Sequence, residues 1–279
     1  MNIIGIIPAR FGSTRLMGKL LANIGGKPVI QHTYENAKKS KLMNDVIIAV
    51  DDEILYKVVT SFGAKAHLTP KEFLSSTERV AFVASEMTGD VFLNIPGGIP
   101  FVSPKIIDQV IEPHLFDSEI FITTLAKKVE SVDEMKSNSV PKVVFDYNNY
   151  ALYFSYSPIP FVKEARTNLE KVLSAEIYKH IEIYAYSKDI IKTINKLTPT
   201  DLERIEKLEP LRLLEHGLKI KMVVTEEECL TLNTPLDLEI ARKHFDKKNR
   251  RSLWKLQKNF KLQIFLHQFK KLSFVEQNF

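Results

Sequence analysis

Through the first 245 residues, short unbroken apolar runs alternate with stretches of helical spacing. Residues 2–8 form an apolar run that ends in Pro8 and predicts a buried strand. A loop holding Gly12 and Gly18 follows. Residues 28–40 predict a helix, with Pro28 at its first position and Val29, Ile30, Tyr34 and Ala37 near one face. Residues 45–50 predict a second strand, and Asp52 suits the cap of a helix through Ile54, Val58 and Val59. Residues 91–95 predict a third strand, and Ser103-Pro104 opens another helix. Strands alternating with helices imply parallel pairing in an α/β domain.

The middle of the chain differs. Residues 142–146 and 150–155 flank Tyr147-Asn148-Asn149 and predict a hairpin, and residues 181–186 predict another strand. Residues 201–216 place Leu202, Ile205, Leu208, Leu211 and Leu214 near helical spacing, with Gly217 as a stop signal. Pro210 inside that run predicts a kink or an early break. Residues 219–225 predict a last strand, and Thr234-Pro235 opens a final helix to about Phe245. In open α/β sheets ligands gather at the carboxyl ends of the strands, so the loops after Pro8, Val50 and Ile95 are the candidate site.

Composition adds limits. With 44% hydrophobic and 26% charged residues, the 279-residue chain is of ordinary globular type, not disordered, collagen-like or a disulfide scaffold. No window is apolar enough for a membrane span, no secretory leader is visible, and the single Cys229 suits a reducing compartment, so a cytoplasmic protein is expected. The net charge of +5 is uneven. Residues 246–279 carry nine bases and two acids, a net +7, which leaves residues 1–245 at −2. The division therefore runs between a mildly acidic body, 1–245, and a basic amphipathic extension, 246–279, in which Leu253, Leu256, Phe260 and Ile264 keep helical spacing. That extension has three readings: docking on the body or a dimer mate, lying on an anionic membrane surface, or, weakest because no reader motif accompanies the charge, binding nucleic acid.

The loop after the first run carries chemistry. It reads Pro8-Ala9-Arg10-Phe11-Gly12-Ser13-Thr14-Arg15-Leu16-Met17-Gly18-Lys19. Glycines let backbone N–H groups turn toward an anion, and Arg and Lys neutralise phosphate. It is not a Walker A loop, since five residues separate the glycines and Leu20 stands where Ser or Thr would hold magnesium. The bland alternative is a solvated glycine turn with surface bases.

Further motifs narrow the choice. Gly26-Lys27-Pro28, the run from Ala151 to Ser155 with Ser157-Pro158-Ile159-Pro160, Lys179-His180-Ile181 with Ile183-Tyr184-Ala185-Tyr186, Leu208-Glu209 with Leu211-Arg212, and Asn233-Thr234-Pro235 follow in order. With the first loop they resemble the CMP-Kdo synthetase (3-deoxy-manno-octulosonate cytidylyltransferase) family, from about Asn2 to Phe245. The resemblance implies a Rossmann-like, mixed but mostly parallel sheet of the nucleotide-diphospho-sugar transferase type, with a small hairpin subregion for homodimerisation. It implies transfer of CMP from CTP to 3-deoxy-manno-octulosonate for lipopolysaccharide synthesis, with release of pyrophosphate and Mg2+ as cofactor. Residue by residue, Arg10 and Lys19 would be catalytic. Ala9, Arg10, Gly12, Ser13, Arg15, Lys19, Ser76 and Arg79 would bind nucleotide, and His180, Tyr184 and Glu209 the sugar acid.

Departures fall within these motifs. Where the family has Gln-Gly-Asp-Glu-Pro, this chain has Pro96-Gly97-Gly98-Ile99-Pro100, so Pro96 replaces the reader of cytosine and Gly98 a magnesium carboxylate. Asn233 replaces the second magnesium Asp, Tyr156 an Arg, Glu182 a Gly, and Pro210 a Gln; Ser76 and Glu78 stand for Gly and Asp. A hard dication wants anionic oxygens, which Gly98 and Asn233 lack. Asp51, Asp52 and Glu78 are conceivable substitutes, although a helix cap accounts for Asp52 and a solvated loop charge for Glu78. Three functions stay open: the family's transfer, a catalytically silent paralogue acting as a binding or regulatory module, and a transferase for a less acidic sugar near Tyr156. Cys229 reads as a small buried or loop residue and His216 as a helix-end cation.

Overall fold

The computed structural model describes residues 1–12, 18–73 and 75–247. Its strands are β1 (Ile3–Ala9), β2 (Asn23–Ile24), β3 (Lys27–Pro28), β4 (Asp45–Val50), β5 (Lys65–Leu68), β6 (Val91–Asn94), β7 (Ile122–Lys128), β8 (Lys142–Phe145), β9 (Ala151–Ser155), β10 (Tyr178–Ser187) and β11 (Lys221–Val224). Its helices are α1 (Val29–Ala37), α2 (Glu53–Ser61), α3 (Ser76–Ser85), α4 (Pro104–Phe116), α5 (Val132–Lys136), α6 (Asn168–Ser174), α7 (Lys188–Ile194), α8 (Asp201–Glu206) and α9 (Pro210–Glu215). Residues 235–247 are also helical.

Among the described residues the main sheet runs β11-β7-β10-β6-β1-β4-β5, with the β8–β9 hairpin attached through β10. β1 lies parallel between β4 and β6, β5 continues β4 in parallel, and β11 is parallel to β7. Along that path only β10 is reversed, pairing antiparallel with β6 and β7. The sheet is therefore mixed and mostly parallel, as expected.

The apolar runs are continuous because both faces of the central strands are covered. In β1, Ile3, Ile7 and Ala9 join one core with Ile30, Leu55, Val59, Ile106 and Val110, while Ile4 and Ile6 join the other with Val80, Val83, Ile191 and Leu211. The same alternation divides β4, Val46, Ile48 and Val50 facing the first core and Ile47 and Ala49 the second.

Several local expectations are met. Asp52 caps α2 by accepting from Ile54 N at 2.8 Å, and Ser103 caps α4 from Lys105 N. β8 and β9 form the hairpin, with Asn149 at φ +59 in the turn. One boundary needs correction. Pro28 is extended (φ −65, ψ 150) and pairs in the β2–β3 ribbon, so α1 starts one residue later, and it ends at Ala37 rather than Ser40. The 201–216 run breaks, as Pro210 predicts: Lys207 turns left-handed at φ +58 and α9 begins at Pro210, whose ring cannot follow a helical turn. The basic extension beyond Lys247, and with it the helical spacing from Leu253 to Ile264, lies outside the described residues.

Candidate functional site

One cleft of about 320 Å3 opens at the carboxyl ends of β1 and β6. Pro8 lies at the end of β1 and Arg10 follows it, Pro96 to Gly98 follow β6, and Lys19 comes from the short 3-10 turn Lys19–Leu21. Ser75 to Thr77 and Arg79 bring the amino end of α3, Glu182 and Tyr184 come from β10, Lys207 to Pro210 from the α8–α9 link, and Thr231 and Asn233 from the segment before the last helical stretch. Two of the three loops expected to form the site, those after β1 and β6, line it directly.

The third acts from behind. Asp51, after β4, accepts from Phe11 N at 2.9 Å and from Arg79 Nη2 at 3.2 Å. Arg79 is 2% exposed and also donates to Thr69 Oγ1 and to Pro70 O. Burial pulls its pKa down, Asp51 opposes that, and the nearby Arg10 charge adds to it. Arg79 thus faces the cleft as a braced cation, while Arg10 is exposed at its mouth.

α3 carries a capping box, Ser75 with Glu78, which fixes its first turn. Glu209 reaches across to that turn: Thr77 Oγ1 donates to it at 2.5 Å and Ser76 N at 3.4 Å. Burial raises the Glu209 carboxyl, against these hydrogen bonds and the Arg212 charge, which lower it. Asn94 Nδ2 donates to Ser76 Oγ at 3.2 Å, and its Oδ1 is buried without a partner among the described residues.

The predicted sugar residues separate. Tyr184 lines the cleft and is 6% exposed, and its hydroxyl has no hydrogen-bond partner among the described residues. His180 does not line the cleft. It is packed between Phe154 and Tyr184, and Thr124 Oγ1, which donates to Ile183 O at 2.8 Å, accepts its Nε2–H at 3.0 Å. Burial pushes its pKa down to about 3, so it is neutral. Its place is a supporting one beneath Tyr184. Ala9 is buried at the end of β1, Gly12 is exposed beyond it, and Ser13 and Arg15 lie outside the described residues.

The altered positions come together on one wall. Gly98 O accepts from Leu232 N at 2.9 Å, which sets Asn233 beside Gly98. A Cβ on Gly98 would stand 3.2 Å from Lys19 Nζ. Pro96 lines the cleft and offers no donor, and Ile99 belongs to the core at 1% exposed. Each conceivable substitute carboxylate has structural work: Asp51 holds Arg79, Asp52 caps α2 and meets Lys71, and Glu78 completes the α3 box, a helix-start role rather than a loop charge. Among the described residues no three His, Cys, Asp or Glu side chains converge to hold a metal ion. Burial pushes the Cys229 thiol up to about 12, which makes it a poor nucleophile. His216 caps the end of α9 and contacts Thr198 O.

The family model described as Cytidylyltransferase matches residues 4–220. The chain belongs to the cytidylyltransferase family. It is 41% identical over 243 residues to a 3-deoxy-manno-octulosonate cytidylyltransferase of Geotalea uraniireducens (strain Rf4), covering 86% of this chain and 97% of that protein. The relative of the same name from Thermodesulfovibrio yellowstonii (strain ATCC 51303 / DSM 11347 / YP87) is 42% identical over 253 residues, covering 87% and 98%. A solved CMP:2-keto-3-deoxy-manno-octonic acid synthetase complexed with CTP superposes with a TM-score of 0.82 at 33% identity, over 89% of this chain and all of that one. The 4-diphosphocytidyl-2C-methyl-D-erythritol synthase of Anaerococcus prevotii DSM 20548, at 15% identity and a TM-score of 0.58 over 88% of this chain and 98% of its own, shares the fold. In this cytidylyltransferase, sequence reasoning missed Asn94 and Lys207 as cleft residues. The polar Asn94 inside an apolar run was the available signal for the first.

Proposed function

We propose that the cleft binds CTP, with its phosphates over Arg10 and Lys19, and that this chain is a cytidylyltransferase of the 3-deoxy-manno-octulosonate type. The observation that carries the reading is one cavity faced, among the described residues, by the four cations Arg10, Lys19, Arg79 and Lys207, at the carboxyl ends of parallel strands. A sugar acid would lie toward Tyr184 and Glu209. Its anomeric oxygen bonds to the α-phosphorus, pyrophosphate leaves with its electron pair, and the hydroxyl proton passes to water. The cations neutralise the triphosphate and the cleft aligns the reacting groups.

Nucleotidyltransferases of this family generally use magnesium. The donor set here does not fit a carboxylate-held magnesium: Gly98 has no side chain, Asn233 offers a neutral oxygen, and the Lys19 ammonium abuts Gly98. Transfer is therefore expected to be slow. Purified protein given CTP, 3-deoxy-manno-octulosonate and Mg2+ should release pyrophosphate, at a rate that rises in a Gly98→Asp, Asn233→Asp variant. Calorimetry with CTP is the companion measurement. Binding without turnover in either protein would favour a second reading, a silent binding or regulatory module, which Gly98 and Asn233 together support. Absence of CTP binding would remove both. The homodimer implied by the resemblance, joined through the β8–β9 hairpin where Leu152 is exposed, is tested by sedimentation.

A further inference from the structure

A nucleoside triphosphate in water carries several negative charges, and a protein that grips it must supply matching positive charge. Two solutions are common. Carboxylates hold a divalent ion that bridges the phosphates, or side-chain cations and backbone N–H groups meet the phosphates directly.

The cleft is built for the second. Among the described residues its lining cations are Arg10, Lys19, Arg79 and Lys207, against two lining carboxylates, Glu182 and Glu209. Glu209 is spent on the first turn of α3, through Thr77 and Ser76. Among the described residues the wall at Gly98 adds no further carboxylate to the lining, and the nearby Asp237 carboxylate is taken up by the Asn233 and Thr234 N–H groups. There Gly98 and Asn233 are joined by the Leu232 N to Gly98 O hydrogen bond, and Lys19 Nζ lies 3.2 Å and Lys19 Cε 3.3 Å from where a Gly98 Cβ would begin. The lysine tip therefore stands against Gly98, where a side chain at this position would meet it first. An ammonium in that spot repels a dication and attracts phosphate.

We propose that the cleft binds the nucleotide's phosphates without a divalent ion, because the Lys19 ammonium stands beside a bare Gly98, which offers no carboxylate there. The inference rests on the nucleotide reading given above, and deepens it.

The test is calorimetric titration of the whole chain with CTP in EDTA and again in excess Mg2+. Affinity in EDTA is expected within about fivefold of that in Mg2+, and a larger loss on removing the ion overturns the proposal. Mn2+ alone, followed by its paramagnetic resonance signal, should remain free in solution with protein present; capture of Mn2+ overturns it as well. Gly98→Asp then sets a carboxylate against Lys19. CTP affinity in EDTA should fall about tenfold and recover on adding Mg2+, since the new carboxylate neutralises the lysine and supplies an ion ligand. An unchanged affinity in EDTA overturns the proposal. Should that variant fail to fold, Lys19→Gln serves: a loss of about tenfold in EDTA is expected, and no loss overturns the role given to Lys19. If wild-type protein binds CTP in neither buffer, the nucleotide reading itself falls. A strict need for Mg2+ leaves that reading standing and removes only this inference.

Discussion

Thr77 Oγ1 donates to Glu209 Oε2 at 2.5 Å, and this bond fastens the first turn of α3 to the link between α8 and α9. The two residues are far apart in sequence yet form one side of the cleft. Glu209 is half-buried with its carboxyl raised by burial, so the donors that face it decide whether it stays ionised. Thr77→Val removes one donor and keeps the shape. It should cost about 1–2 kcal/mol in urea unfolding, whereas Thr77→Ser should stay near wild type.

Arg79 and Asp51 form the brace behind the first loop. The guanidinium is 2% exposed and Asp51 also holds the Phe11 N–H, so one carboxylate orders two parts of the site. Asp51→Ala leaves a buried cation without its charge partner. The expected loss is about 3 kcal/mol of stability, read from the denaturant midpoint. CTP affinity should fall as well, because the segment from Arg10 to Gly12 loses its tether.

His180 and His114 make the fold sensitive to acid. Burial depresses their pKa values to about 3 and about 4, below the ordinary value of 6.5. The unfolded chain therefore binds protons at these sites that the folded chain refuses. Stability is whole above the unfolded value and falls as pH drops toward 4, by about 1.4 kcal/mol per pH unit for each histidine. Glu209, whose carboxyl is raised when folded, acts in the opposite direction from its ordinary value of 4.5 upward. Between about pH 6 and pH 5 the stability of His180→Phe should show a slope shallower by about one proton than wild type, measured by urea unfolding at each pH.

Which parts of this arrangement could be read from the chain follows from burial. β1, β4 and β6 are covered on both faces and spell continuous apolar runs, so their existence and parallel pairing were legible, while their order in the sheet was not. β7 was not, because Thr123, Thr124 and Lys127 are buried in it; the two hydroxyls find the Val110 and Ile183 carbonyls and the lysine pairs with Glu130 and Glu228. β5 is an edge strand of four residues, none of them buried, with too little pattern to see. In the site, the glycines and bases around Arg10 and Lys19 declared a loop for phosphate. The motif at His180 was equally visible, but its side chain lies beneath Tyr184, a fact of packing that spacing does not carry.

Tyr156 is the position where the sugar side of the cleft can be tuned. Glu206 anchors its backbone, accepting from Tyr156 N at 3.2 Å and from Ser155 Oγ at 2.6 Å, so a new side chain there keeps its direction into the cleft. Tyr156 and Glu182 both line the cavity, and the pair presents a neutral ring and a carboxylate to any acidic sugar. An Arg at this point would offer two parallel N–H donors to a substrate carboxylate, which a tyrosine cannot. Tyr156→Arg should tighten binding of 3-deoxy-manno-octulosonate about tenfold in calorimetry, and Glu182→Gly should add to it by removing like charge. The gain is expected for the acid and not for a matched neutral sugar. Equal gains for both would show that the arginine meets a hydroxyl and not the carboxylate, and that the acidic end of the sugar lies elsewhere in the cleft.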